Sequence, residues 1–189
     1  MDSWIYNIAP HLEQALHARD GRTAQHCRRV ARLAVRLGEM VNLERHDLLV
    51  VAVAARLHDI GKIELPDSIL HKPGPLDDAE WAVMRTHSVL GEGFILSQRD
   101  IPFREEIARV VRHHHEHWDG SGYPDGLRGE EIPLLSRIVS VADSHDAMTS
   151  GRSYHPGRTH ATVKSILAVE RGVKHDPAML DTLLADVVR

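Results

Sequence analysis

One cysteine, Cys27, is all that 189 residues contain. A single thiol excludes an intrachain disulfide and any multi-cysteine zinc site. Aromatic residues make up only 4% of the chain, and the frequent Ala, Leu and Val suit helices more than sheets. Long apolar runs are missing as well: the longest, LLVVAVAA at 48–55, is too short to span a bilayer. The N-terminal MDSWIYNIAPHLEQ lacks a basic region leading into a long apolar one, so no signal peptide is expected and the default location is the cytoplasm. There is no excess of positive charge. At a net −4 the chain lacks the basic face by which proteins grip polymeric nucleic acid, although a few local cations could still hold a small anion.

Histidine is what the chain has in quantity, with 15 residues, all internal. So many imidazoles point to metal binding or to a pH switch. The densest stretch is HHHEHWDGSGYP at 113–124, where His113, His114, His115 and His117 run beside Glu116 and Asp119 into a Gly-rich turn. By itself this could be a solvated helix end.

Apolar periodicity organises the rest into helices. A short helix is expected within the first twenty residues. Residues 22–41 place Val30, Leu33, Ala34 and Leu37 on one face, with arginines opposite. Residues 44–60 are apolar almost all round, which predicts a central helix ending at Gly61. KPGP at 72–75 is a turn. Asp77 and Glu80 have capping-box spacing and open a helix through about Gln98. A further helix covers roughly 105–116, followed by the turn-rich GSGYPDGLRGEEIP. Residues 134–150 form a buried helix with Ile138, Val141, Ala142 and His145 in step, and two closing helices follow at 159–171 and from Pro177 onwards. No alternating strand pattern, repeat or low-complexity linker is present. The expectation is an all-α, bundle-like fold, with a helical segment at 1–20 and a single domain at 21–189.

Several metal-capable residues interrupt apolar faces of these helices: His26, His58, Asp59, His87, His114, His115 and Asp143. Singly, each has a plainer explanation. His26 could be an exposed helix residue, His87 a hydrogen-bonded core histidine, and His58 with Asp59 a helix C-terminal cap. Together they form a set of nitrogen and oxygen ligands that would suit a cation if the helices bring them to one place. A buried Asp59 or Asp143 without a partner would be costly.

The order of the segments is more specific than any one of them. HDIGK at 58–62 precedes His87 and Gly91, then HHE at 114–116 running into DG at 119–120 and GYP at 122–124. IP at 132–133, RIVSVAD at 137–143 and DAMTSGRSY at 146–154 follow. In that order they resemble the HD-GYP family of the HD superfamily, bacterial metal-dependent phosphodiesterases acting on cyclic di-GMP. The resemblance covers about 15–177. It puts the family's HHE on His114, His115 and Glu116 and leaves His113 and His117 as bystanders. A slip to His113 would throw GYP out of phase.

The resemblance implies an HD-type helical fold and two divalent cations, iron or manganese by preference, with zinc, cobalt or nickel also compatible with the ligand types. Asp59 would bridge them, with His26, His58 and Asp143 on one and His87, His114 and His115 on the other. Two such cations clamp a phosphodiester for in-line attack by a bridging hydroxide. Lys62 would contact the phosphate or leaving oxygen, Arg152 would grip a phosphate, and Tyr123 would line the guanine pocket. Arg22 stands one helical turn before His26, where some members carry a carboxylate for a third metal. A two-metal site is therefore expected, with cleavage largely to linear pGpG and further hydrolysis to GMP as the variant outcome. His155 replaces a common basic residue, and His145 a common aromatic. Alternatives are another cyclic dinucleotide as substrate, or a weakly catalytic sensor that docks diguanylate cyclase (GGDEF) proteins. The apolar SWIYNIAPHL segment could serve a homodimer.

Overall fold

The computed structural model describes residues 9–150 and 158–187. Its helices are α1 (Pro10–Arg19), α2 (Gly21–Met40), α3 (Arg45–Leu57), α4 (Asp67–Leu70), α5 (Asp78–Arg85), α6 (His87–Ser97), α7 (Arg104–His113), α8 (Leu134–Thr149), α9 (His160–Glu170) and α10 (Pro177–Val187), with a short 3-10 helix at Ile60–Glu64. The fold is all-α. Among the described residues the β-type pairing is one isolated bridge between Arg171 and His175.

The all-round apolar character of α3 makes it the axis of the bundle. Every residue from 49 to 57 is buried, and α2, α7 and α8 pack around the helix. The one charged member, Arg56, pairs with the buried Glu13 of α1. Leu12 and Leu16 of α1 enter the same core as α2 and α3. Asp20 starts α2 by accepting hydrogen bonds from the amides of Arg22 and Thr23. From there Val30, Ala34 and Leu37 are buried, and Leu33 packs partly buried against the same core.

Two of the boundaries that differ from the sequence expectation shape the site most directly. Helix α3 stops at Leu57 rather than at Gly61, and the chain tightens through His58 and Asp59 into the 3-10 turn. Gly61 is not a helix stop. A Cβ there would lie 2.0 Å from the carbonyl oxygen of His87 and 2.5 Å from the amide nitrogen of Gly91. Only glycine lets the 3-10 segment press against α6.

The other difference is a break. The helix expected over 77–98 is two, α5 and α6, divided at Thr86. The expected Asp77–Glu80 capping box is present. The break arises because three consecutive polar side chains take backbone carbonyls. Thr86 Oγ1 donates to Val83 O at 2.7 Å, His87 Nδ1 to Met84 O at 2.8 Å, and Ser88 Oγ to Arg85 O at 3.3 Å. Such local bonds compete with the helical ladder. They put His87 at the start of α6, facing the end of α3.

Candidate metal centre

All seven sequence-predicted ligands sit at helix ends or turns, or within helices that wrap the end of α3, and the structure brings them together. The donor atoms of His87, His114 and His115 lie within 4.8 Å of one another, as do those of His26, His58 and Asp59. Asp143 joins the second group, with Oδ1 2.9 Å from His26 Nε2 and 4.0 Å from His58 Nε2. The Asp59 carboxylate faces both groups: Oδ2 is 3.5 Å from His58 Nε2 and Oδ1 is 3.4 Å from His87 Nε2. Lys62 Nζ also bonds Asp59 Oδ2, at 2.7 Å. His58, Asp59, His87 and His114 are almost completely buried.

The ring orientations follow from backbone chemistry. A carbonyl oxygen can only accept, so the ring nitrogen facing it carries the proton. His58 Nδ1 donates to Ala55 O at 2.8 Å, His87 Nδ1 to Met84 O at 2.8 Å and His114 Nδ1 to Val111 O at 2.6 Å. In each case the acceptor is three residues upstream, because each histidine sits where its helix ends or begins. All three therefore turn Nε2 to the centre. Burial holds the His87 and His114 rings neutral, lowering both pKa values against the opposing pull of Asp59. Burial, then His87, pushes His115 down to about 3.

The result is two unprotonated nitrogens, His87 Nε2 and His114 Nε2, facing each other at 3.4 Å. Lone pairs that close in a buried site call for a positive centre between them. On the acidic side, burial pushes the Asp59 carboxyl up, but the Lys62 ammonium, with the imidazoles around it, outweighs that and holds the group well below its usual range. Neutral imidazoles with fixed tautomers around ionised carboxylates are the donor set a divalent cation takes. The residues fit a metal.

The histidine run resolves into distinct roles. His113 has both ring nitrogens committed, Nδ1 to Arg109 O and Nε2 to Asp125 Oδ2, each at 2.8 Å. It ties α7 to the GYP loop instead of facing the centre. His117 bonds Ser121 within that loop. Glu116 is buried and accepts from the amides of Asp125, Gly126 and Leu127, so its carboxylate organises the loop. Gly122 is required there, since a Cβ would sit 2.2 Å from the His117 amide nitrogen and 2.6 Å from His115 O. That close approach carries Tyr123 to within 4.9 Å of the His115 ring, centroid to centroid. Arg152 and His155 lie outside the described residues. His145, in step on α8 as expected, is only partly buried and lines an apolar cavity beneath α9.

Sequence reading passed over Asp146 and Arg29. Asp146 Oδ2 lies 2.7 Å from His26 Nδ1, and its carboxylate takes a two-pronged grip from Arg29 at 2.8 and 2.9 Å. The signal was available: His26 and Arg29 on α2, like Asp143 and Asp146 on α8, are spaced i, i+3, so two matched pairs face each other across the helices. Burial opposes a charge on His26, but bonds to Asp143 and Asp146 raise it to about 9. A metal ligated by Nε2 must displace that proton, while Asp146 keeps the ring aimed. Asp146→Ala is expected to weaken metal retention and turnover by about 10- to 100-fold, with Arg29→Ala giving a smaller loss. Chelator-competition titration checks this. Unchanged metal affinity would make Asp146 a purely structural anchor.

The chain is similar to known proteins over most of its length. The family profile for the HD domain matches residues 10–179. A cyclic di-GMP phosphodiesterase response regulator, RpfG of Xanthomonas campestris, is 42% identical over 92% of this chain and 46% of its own length. A 3'3'-cGAMP-specific phosphodiesterase 2 of Vibrio cholerae is 38% identical over 95% of this chain and 34% of its own. The chain thus spans a third to a half of these relatives. The crystal structure of a Vibrio cholerae cyclic GMP-AMP-specific phosphodiesterase shares the fold, with a TM-score of 0.71 at 20% identity, covering 94% of this chain and 47% of that one. Motif order, fold and family match agree: the chain belongs to the HD-domain family and is of its HD-GYP type.

Proposed function

We propose that the chain is a metal-dependent phosphodiesterase that hydrolyses cyclic di-GMP to linear pGpG. The observation that carries this reading is the Asp59 carboxylate shared between two inward-facing donor groups. His26, His58 and Asp143 would hold one divalent cation, His87, His114 and His115 the other, and Asp59 would bind both. Iron or manganese is the proposed metal. Bound there, such ions supply Lewis-acid polarisation of phosphoryl oxygens and neutralise charge developing on them.

The chain's own residues supply the rest. Lys62 stays cationic, because Asp59 outweighs the burial that would lower its pKa. Its ammonium, 2.7 Å from the shared carboxylate, is proposed to meet the phosphate or the leaving oxygen. Tyr123 flanks the His87–His115 side with its ring 6.4 Å from His87, where a base attached to the bound phosphate would lie. Burial keeps the Tyr123 hydroxyl protonated and able to donate a hydrogen bond. Arg152 is proposed to grip a phosphate by its two-pronged geometry. Residues 21–189 are the proposed catalytic domain, in a cytoplasmic protein; no helix among the described residues is long and apolar enough to cross a membrane.

A second reading has its own support. Relatives named as cGAMP-specific phosphodiesterases match at 38% and 36% identity, so 3'3'-cGAMP is the competing substrate. Protein purified without oxygen and loaded separately with Fe(II) and Mn(II) should cleave cyclic di-GMP to the linear dinucleotide with little GMP, read by chromatography. Faster cleavage of 3'3'-cGAMP would move the assignment to that substrate. A folded, loaded protein that cleaves neither would end the phosphodiesterase reading.

A further inference from the structure

Helix α5 buries none of its residues. Its capping box and the Lys72–Glu80 pair fix it in place, and neither uses the face that carries Asp78, Trp81, Ala82 and Arg85. These four fall at i, i+3, i+4 and i+7, a single helix stripe. With Tyr123 they line an open groove of about 390 Å³, within the range of small-molecule sites. Trp81 is 47% exposed. The Arg85 guanidinium lies 5.5 Å from the centre of the Tyr123 ring. Neither it nor the Asp78 carboxylate has a hydrogen-bond or ion-pair partner among the described residues. The groove runs into the metal centre through Tyr123, whose ring is 4.9 Å from that of His115.

We propose that this groove is a guanine-reading subsite, in which Trp81 and Tyr123 stack the base, Arg85 donates to its O6 and N7, and Asp78 accepts from its N1–H and N2–H groups. The inference rests on the phosphodiesterase reading for the position of the phosphate, and it adds how the base is chosen. Aromatic faces bind any base by stacking, so Trp81 supplies affinity without selection. Selection comes from the two charged residues. A forked guanidinium matches the paired acceptors of guanine, whereas adenine offers N7 beside an amino donor. A carboxylate likewise matches the paired donors on guanine's other edge, where adenine has an acceptor at N1. Asp78 and Arg85 stand about 10.5 Å apart along the helix axis, with Trp81 between them. A purine lying on the indole can thus be met from both sides.

The test uses the metal-loaded protein and two mononucleotides that contain no phosphodiester bond, GMP and AMP, titrated by tryptophan fluorescence and calorimetry. Their phosphates are identical, so the ratio of affinities isolates the base. GMP is expected to bind about tenfold or more tightly, since one good two-pronged contact discriminates by roughly five- to a hundredfold. Arg85→Ala and Asp78→Ala should each cut that preference severalfold with metal content unchanged. Trp81→Ala should weaken both nucleotides alike. Equal binding of GMP and AMP by the unmodified protein, or a preference that survives both charged-residue substitutions, would overturn the assignment. The two readings fail separately. If cyclic di-GMP is cleaved with kcat/KM unaltered in Arg85→Ala and Asp78→Ala, the groove assignment falls and the phosphodiesterase stands. If no cyclic dinucleotide is cleaved but the GMP preference is present and lost in the variants, the groove stands alone.

Discussion

Asp59→Ala should yield a folded protein that holds no metal and shows no turnover. The carboxylate is oriented toward both donor clusters, 3.4 Å from His87 Nε2 and 3.5 Å from His58 Nε2. Without it the His87, His114 and His115 group has no carboxylate left, and the His26 and His58 group keeps only that of Asp143. The fold should survive. Lys62 would lose its partner, yet its side chain is 22% exposed and can turn to water. That holds the stability cost to about 1–3 kcal/mol, the usual penalty for a stranded polar group. Asp59→Asn serves as the shape control and should fail almost as badly, because the amide fills the space without supplying charge. Elemental analysis of metal per chain, alongside circular dichroism and a turnover assay, decides the matter. Metal retained at the unmodified stoichiometry in Asp59→Ala would sink the shared-ligand assignment.

His114→Ala and His113→Ala should separate sharply although the residues are adjacent. His114 is wholly buried, its Nδ1 proton is committed to Val111 O, and its Nε2 faces His87 Nε2. Its loss should cost more than the roughly 10- to 100-fold expected for a residue that merely supports a ligand, together with metal from its cluster. His113 has no free nitrogen to offer, since Arg109 O and Asp125 take both. Its truncation should loosen the GYP loop and lower stability by about 1–3 kcal/mol, with metal content intact and only a modest fall in kcat. Equal losses of metal in the two variants would mean that the ligand register is displaced by one residue. Thermal melts with and without added Mn(II) provide a second readout, because only a metal-binding protein gains stability from the ion.

The sequence was most legible where one periodic pattern recurred over several turns. The nearly all-apolar α3 could only be a buried axis, and the spacing of α2 fixed its inner face. Boundaries were less legible, for a physical reason. The end of α3 and the break at Thr86 depend on side-chain bonds to nearby carbonyls, which compete with a helical ladder that periodicity alone would extend. Gly61 looked like a helix stop. Its actual role, letting two backbones touch, exists only once α6 lies against the 3-10 turn.

The site divides along the same line. From its own residues the chain determined an all-α architecture, an unusual supply of imidazoles and carboxylates, and a motif order specific enough to indicate the family. Tertiary structure decided which nitrogens are free. His113 and His114 are the same residue type on the same helix end, and nothing in their spacing shows that Asp125, twelve residues beyond His113, claims the first. Nor does local sequence show that α8 sets Asp146 behind His26, or that α5 leaves Trp81 and Arg85 uncovered beside Tyr123. Residue type and local spacing fix what a side chain can donate or accept. Whether that capacity is spent on a neighbour or left facing a cavity depends on contacts between distant segments, and only the folded chain sets those.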